Sequence, residues 1–380
     1  MNRDVVIVGG GVIGLSIAYV LAREGLGVTV LDRGRLGGEA SGAGAGLIPP
    51  TGDEGRRPSR VPIAALRSWS ASLFSDWSAA LREETGVDNG YRRCGGVDVA
   101  WTEIEAQALR ADAGRWRAEG IACERLAPAD YPRVEPALNR DLPLAYFLPD
   151  RAQIRNPRHL RALAAAATSR GATLLPDHEV QRLDRRGDRV AAVQTRQGEF
   201  PCKWVVVASG AWSGRLLEHV GVRAPTPPVK GQIVLLRDDR PLLRRIVEHG
   251  KDYLVPRDDG RILVGATEED AGFDTRPTEA SYRMLLDRAI RLCPVLADAR
   301  VEATWAGLRP GSIDGKPYIG PAPGFRNLVL ATGHQRAGLQ LSPATAELVA
   351  DLVLGRPLRI DPSPFRPDRD PQPVDDAFRS

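Results

Sequence analysis

Asp4-Val-Val-Ile-Val-Gly-Gly-Gly-Val-Ile-Gly-Leu-Ser-Ile-Ala18, followed by Val28-Thr-Val-Leu-Asp32, decides the fold. Val5 to Val8 form a β-branched apolar run without alternation, the pattern of a strand buried on both faces of a parallel sheet. Gly9-x-Gly11-x-x-Gly14 follows at once. The first glycine permits the tight turn, the second lets backbone approach a pyrophosphate, and the third lets the next helix pack close to the sheet. That helix, roughly Val12 to Glu24, aims its N-terminal N–H groups at the phosphates, with Val12 and Ile13 in its first turn. Asp32 ends the second strand about twenty residues beyond the glycines, where a carboxylate accepts the hydroxyls of an adenosine ribose. An acid there disfavours a 2′-phosphate, and the neighbouring Arg33 weakens that argument only slightly.

Working outward, the 380 residues exceed one ordinary core and suggest two domains or one large α/β unit. Hydrophobic residues make up 43% and charged residues 26%, and the net charge of +4 is spread without a basic stripe, which argues against nucleic-acid binding. Cys94, Cys123, Cys202 and Cys293 are far apart, so neither a metal site nor a disulfide framework is expected, and a cytoplasmic location is. No apolar run approaches the length of a membrane span.

The small-residue stretch from Gly37 to Pro50 suits a loop lying flat against a ligand, although a flexible linker would have a similar composition. Helices are expected over 60–86, around Glu103 to Glu119, from an Asn156 cap to Gly171, and over Thr278 to Leu292. Leu174-Leu175 and Glu179-Val180 suggest a strand returning to the first sheet, and Val190 to Thr195 and Trp204 to Ala208 add further strands. The runs 229–236, 253–256 and 261–265 lack intervening helices and predict an antiparallel sheet. Trp305-Ala-Gly-Leu-Arg-Pro-Gly-Ser-Ile-Asp-Gly-Lys-Pro-Tyr-Ile-Gly320 and Asn327-Leu-Val-Leu-Ala-Thr-Gly-His-Gln-Arg-Ala-Gly-Leu-Gln-Leu-Ser342 form a second cluster. The latter reads as strand, glycine turn and helix, with Ser342-Pro343 capping the helix. Its backbone N–H groups would suit an electron-rich ring edge.

These pieces together resemble the D-amino-acid oxidase superfamily of FAD enzymes, and within it the glycine oxidases of the thiamine pathway. The Trp-Ala-Gly-Leu-Arg-Pro stretch at 305–310, Asp-Gly-Lys-Pro at 314–317 and Gly-His-x-Arg at 333–336 carry the likeness most specifically. The resemblance implies a Rossmann-like FAD-binding domain over 1–86, 148–225 and 300–380, interleaved with an α+β substrate domain on an antiparallel sheet over 87–147 and 226–299. Non-covalent FAD would be held by Gly9, Gly11, Val12, Ile13, Gly14, Asp32 and Arg33. The small-residue loop would add Ser41, Ala43, Gly44, Gly46 and Leu47. Further contacts would come from Val180, from Ser209, Gly210 and Trp212, and from Arg309. The turn Gly333, His334, Gln335, Arg336, Ala337, Gly338, Leu339 and Gln340 would complete the bed.

By the same resemblance Arg309 binds the substrate carboxylate, Tyr253 assists it, and Arg336 lies near the amine end. A guanidinium offers the bidentate fork that a carboxylate needs, and a phenol adds a donor. Sequence alone leaves open an ion pair for Arg309, a core aromatic for Tyr253, a flavin-positioning role for Arg336 and a packing role for His334. The implied reaction is oxidation of a small amino acid by hydride transfer to flavin N5, with dioxygen reoxidising the flavin to give peroxide. The imine hydrolyses to a 2-oxo acid and ammonia, or passes to thiazole synthesis. Sarcosine, a D-amino acid, a quinone-linked dehydrogenase and a flavin-bearing subunit of a hetero-oligomer remain open, and homo-oligomers are common among such proteins. One departure matters: after Gly265-Ala-Thr267, where glycine oxidases usually place an apolar pocket residue, this chain has Glu268 and Glu269.

Overall fold

The computed structural model describes residues 4–50 and 61–372. Val5–Val8 lies at the centre of a six-stranded sheet, with Val28–Leu31 and Thr173–Leu175 on one side and Trp204–Val207, Leu328–Thr332 and Tyr318–Pro321 on the other. All pairings are parallel except that of the edge strand Tyr318–Pro321. Val5, Val6 and Ile7 are fully buried, as a run without polar alternation requires.

Helices Val12–Arg23, Pro62–Thr85, Asn156–Ser169 and Gly338–Leu354 cover one face. Against the other pack a three-stranded antiparallel sheet, Val180–Arg186, Arg189–Thr195 and Gly198–Pro201, and the short helix Ser213–Glu218. The carboxyl ends of the parallel strands therefore open onto one crevice, the place where such sheets bind ligands.

An eight-stranded sheet forms the second layer. Its order is Arg300–Pro310, Pro228–Arg237, Arg261–Gly265, Asp252–Pro256, Ile246–His249, Gly96–Ala100, Leu144–Leu148 and Glu124–Leu126. The expected antiparallel pairing holds except between Ile246–His249 and Gly96–Ala100, which run parallel. Helix Glu279–Leu292 covers its outer face, and Thr278 caps that helix by accepting the Ser281 N–H.

Four local expectations change. Strand Arg300–Pro310, grouped above with the nucleotide-binding part, pairs along almost its whole length with Pro228–Arg237 and so belongs to the eight-stranded sheet. Val180 opens the small antiparallel sheet instead of joining the central one, because Asp177 at φ 57 turns the chain away after Leu175. Asn156 is the first helical residue and not the cap; its side-chain amide donates to Ser41 O at 2.7 Å instead. Helix Gly338–Leu354 starts ahead of Ser342-Pro343, and Pro343 lies inside it. Pro343 has no N–H for the Leu339 carbonyl, and the Ser342 hydroxyl donates to that oxygen at 3.0 Å.

Candidate active site

A cavity of about 2110 Å³ runs from Gly9, Gly11 and Asp32, past Ala43–Gly46, to Tyr253, Arg309 and the 334–340 turn. It brings together every sequence-predicted site residue except Gly14 and Gly333, which do not line it. Both act from behind. A Cβ at Gly14 would lie 1.9 Å from Gly9 O, and Gly333, at φ +74, sits against the Tyr318 ring.

At one end Asp32 accepts the N–H groups of Gly10 at 2.6 Å and Gly34 at 2.9 Å, and burial raises its pKa against the pull of those bonds. Each carboxylate oxygen keeps a lone pair for a ribose hydroxyl. Ser41 accepts the Val12 N–H at 2.9 Å and so fixes the loop to the helix start. The Arg33 guanidinium stacks on Trp212 at 3.5 Å and pairs with Glu39. The helix starts at Val12 and Gly338 both face the cavity, each with first-turn N–H groups that lack intrahelical partners. A half-buried acid, two helix N-termini and a small-residue loop along one elongated cavity match the ribose, pyrophosphate and ring carbonyls of FAD.

The other end is built on the inner face of the eight-stranded sheet. Registered pairs Trp305–Ile233, Ile233–Gly265, Gly265–Tyr253, Tyr253–Glu248 and Glu248–Asp98 place these residues in one row across neighbouring strands. Val229–Arg309 and Gly231–Gly307 stand on the same face. Two glycines in this patch are seats. A Cβ at Gly231 would lie 2.4 Å from Arg309 Nη2, and one at Gly265 would lie 2.6 Å from the Tyr253 hydroxyl oxygen.

Arg309 donates to Thr267 O at 3.0 Å, and Thr267 is itself held by the Gln232 N–H and by Glu269. Burial lowers the pKa of Arg309, yet no carboxylate of the described residues lies within 4.0 Å of its guanidinium. Tyr253 is pushed up to about 12 by burial, so its phenol stays protonated and can donate. Arg336 meets Glu268 at 2.6 Å, and Lys251 holds the other Glu268 oxygen at 2.9 Å. Burial opposes the charge of Glu268, but those two cations hold its pKa below the ordinary value.

At the end of the row Arg151 pairs with both Asp98 and Glu248. Burial, opposed by Arg151 and reinforced by Asp98, pushes Glu248 up to about 7. Folding therefore takes up a proton at Glu248, and its contribution to stability, complete below pH 4.5, is lost as pH rises through about 7. The difference in melting temperature, Glu248→Gln minus wild type, should grow from pH 5 to pH 8, by at most about 3 kcal/mol in free energy. A gap that stays constant over thermal melts across that range would refute the assignment.

His334 is buried, faces Thr345 Oγ1 at 3.2 Å, and burial lowers it to about 3, so it is neutral at ordinary pH. Lys230 is structural: buried, it donates to Arg276 O at 2.6 Å. Sequence reasoning missed Arg257, which is buried and donates to Ala45 O, Ile154 O and Gln153 Oε1, tying down the small-residue loop. It also missed Lys251, Glu248 and the two glycine seats. Strand alternation from Tyr253 would have found Lys251, whereas Glu248 and Gly231 come only from register.

The family description for FAD-dependent oxidoreductases, DAO, matches residues 4–352. The chain belongs to the DAO family. Among its relatives is a glycine oxidase of Pseudomonas aeruginosa, 40% identical over 370 residues, which are 97% of this chain and 99% of that protein. The crystal structure of glycine oxidase from Geobacillus kaustophilus superposes with a TM-score of 0.91 at 37% identity, covering 97% of this chain and 99% of that one. An iminodiacetate oxidase from Chelativorans sp. gives 0.86 at 29% identity, covering 96% and 99%. DAO membership makes this chain an FAD-dependent oxidoreductase, and the cradle described above fits that cofactor.

Proposed function

We propose that this chain oxidises glycine, or an amino acid of similar size, at its α-carbon. The observation that carries the reading is Arg309: a half-buried guanidinium, free of any carboxylate partner among the described residues, facing the cavity beside the Tyr253 phenol. A substrate carboxylate supplies the missing counter-charge through two parallel N–H···O bonds, and Tyr253 donates a third. Held there, the substrate has its α-carbon turned toward the part of the cavity lined by the 334–340 turn, and orientation is the main catalytic contribution of the protein.

FAD, when bound, would supply the two-electron acceptor, and dioxygen would be the oxidant that regenerates it, giving hydrogen peroxide. The amine becomes an imine, which water hydrolyses to glyoxylate and ammonia when glycine is the substrate. Delivery of the imine to thiazole formation is the pathway use that the resemblance to thiamine-pathway oxidases supports. No described group demands a separate general base, because an amine bound neutral has no proton to lose before oxidation. None of the four cysteines lines the cavity, which supports non-covalent FAD. Among the described residues no helix is long and apolar enough to cross a membrane.

The test is anaerobic addition of glycine to the purified yellow protein. Bleaching of the flavin band, with peroxide formed when air returns, is expected. A flavin that glycine, sarcosine, D-alanine and D-proline all leave oxidised would overturn the reading.

Gly231 gives a sharper check. In Gly231→Ala the new methyl displaces the far end of a flexible side chain and not backbone, so the fold should persist while the guanidinium moves. The KM for glycine should rise at least about tenfold, with flavin content and melting temperature nearly unchanged, because a misplacement of an ångström is enough to lose orientation. An unchanged KM would show that Arg309 does not depend on this seat.

A further inference from the structure

Glu268 stands behind the cavity wall while both of its partners, Arg336 and Lys251, line the cavity with Arg309. It donates nothing and touches no ring; its carboxylate oxygens are divided, Oε1 to Arg336 at 2.8 and 2.6 Å and Oε2 to Lys251 at 2.9 Å. Of the three cations Arg309, Arg336 and Lys251, Arg309 is thus the one that meets no carboxylate of the described residues, and the other two are bridged. Other charged groups face this corner. Glu248 lies beside Tyr253 on the neighbouring strand, where Arg151 compensates it and Asp98 shares that cation, and Glu269 is turned away onto Thr267, Gln232 and Ser281.

We propose that Glu268 is a specificity-determining residue, which neutralises a second anion-binding position formed by Arg336 and Lys251 and so restricts the site to monocarboxylic amino acids. The inference rests on the amino-acid reading above and extends it to substrate class. A glycine molecule has one carboxylate, which Arg309 takes. An amine with a second acidic arm, such as iminodiacetate, must place that arm near Arg336 and Lys251. There it competes with a carboxylate that is covalently present and already bonded to both.

Removing the charge of Glu268 releases both cations toward the cavity. Charged groups several ångströms apart in a partly buried site interact strongly enough to change affinity about tenfold. Glu268 acts through Arg336 and Lys251 and is a positioning residue, so the readout must separate binding from turnover.

The experiment compares iminodiacetate with glycine as reductants of the bound flavin in wild type, Glu268→Gln, Glu268→Asp and Lys251→Gln. In Glu268→Gln the ratio of kcat/KM for iminodiacetate to that for glycine should rise at least about tenfold, carried by a lower KM for iminodiacetate with little change in its kcat. Glu268→Asp, which keeps the charge, should stay near the wild-type ratio. Lys251→Gln changes an exposed end of the network and tests the idea even if Glu268→Gln loses its flavin; it removes a cation and should lower the ratio about threefold or more.

Ratios that stay within twofold in Glu268→Gln and Lys251→Gln, while glycine still reduces the flavin, would overturn the proposal and leave the glycine reading standing. A wild-type flavin reduced by neither amine would overturn both.

Discussion

Replacing Arg309 with Met should lower kcat/KM for glycine about a thousandfold, roughly 4 kcal/mol, while the protein stays yellow. The loss is large because the substrate carboxylate would then enter the site beside Tyr253 with the guanidinium that faces it gone. Arg336 cannot substitute, since Glu268 holds it at 2.6 Å. Arg309→Lys restores the charge but not the planar fork, and it also loses the reach that lets Nη1 donate to Thr267 O while the rest of the guanidinium faces substrate. It should recover only part of the loss. Stopped-flow reduction under nitrogen measures both variants, and a Met variant reduced within tenfold of the wild-type rate at low glycine would remove Arg309 from the substrate site.

The second large effect is expected at Gly14, which never meets the cavity. An added methyl in Gly14→Ala would lie 1.9 Å from the carbonyl oxygen of Gly9 and 3.3 Å from Ile7 Cγ2. The first of these is backbone of the phosphate turn itself, at a residue with φ +108, so no side chain can yield. The helix Val12–Arg23 must move off the sheet, taking with it the N–H groups that face the cavity. FAD affinity should fall about a hundredfold, close to 3 kcal/mol, with the melting temperature lower by several degrees. Titration of the apoprotein with FAD decides the matter, and a dissociation constant within threefold of wild type would contradict the packing argument.

The nucleotide half was legible because its signals are local. Val5 to Val8, the three spaced glycines and Asp32 each need only a few neighbours in sequence to declare a strand, a turn and an acid at the end of the second strand, and all take the expected places in the fold. The substrate half was legible in kind but not in detail. Strands at 228–237 and 300–310 could be read from β-branched runs, yet their pairing puts Arg309 beside Val229 and over Gly231, and register is a long-range property. For the same reason Glu268 could not be aimed from sequence: whether it entered the pocket or faced solvent depended on Lys251 and Arg336, which approach it from distant segments. Asn156 and Ser342-Pro343 misled because their side chains satisfy tertiary partners or interior carbonyls where a cap was expected.

The small-residue loop is fastened from the far side. Trp305 Nε1 donates to Ala43 O at 3.0 Å, Arg257 donates to Ala45 O at 2.7 Å, and a Cβ at Gly307 would lie 2.7 Å from the Ala43 methyl. The eight-stranded sheet therefore grips the same segment that Ser41 ties to the first helix. Two layers riveted through a common strip of backbone cannot hinge apart without tearing the cofactor's bed. Traffic of small molecules then needs no parting of the two layers, and turnover need not wait for a slow collective opening of that kind.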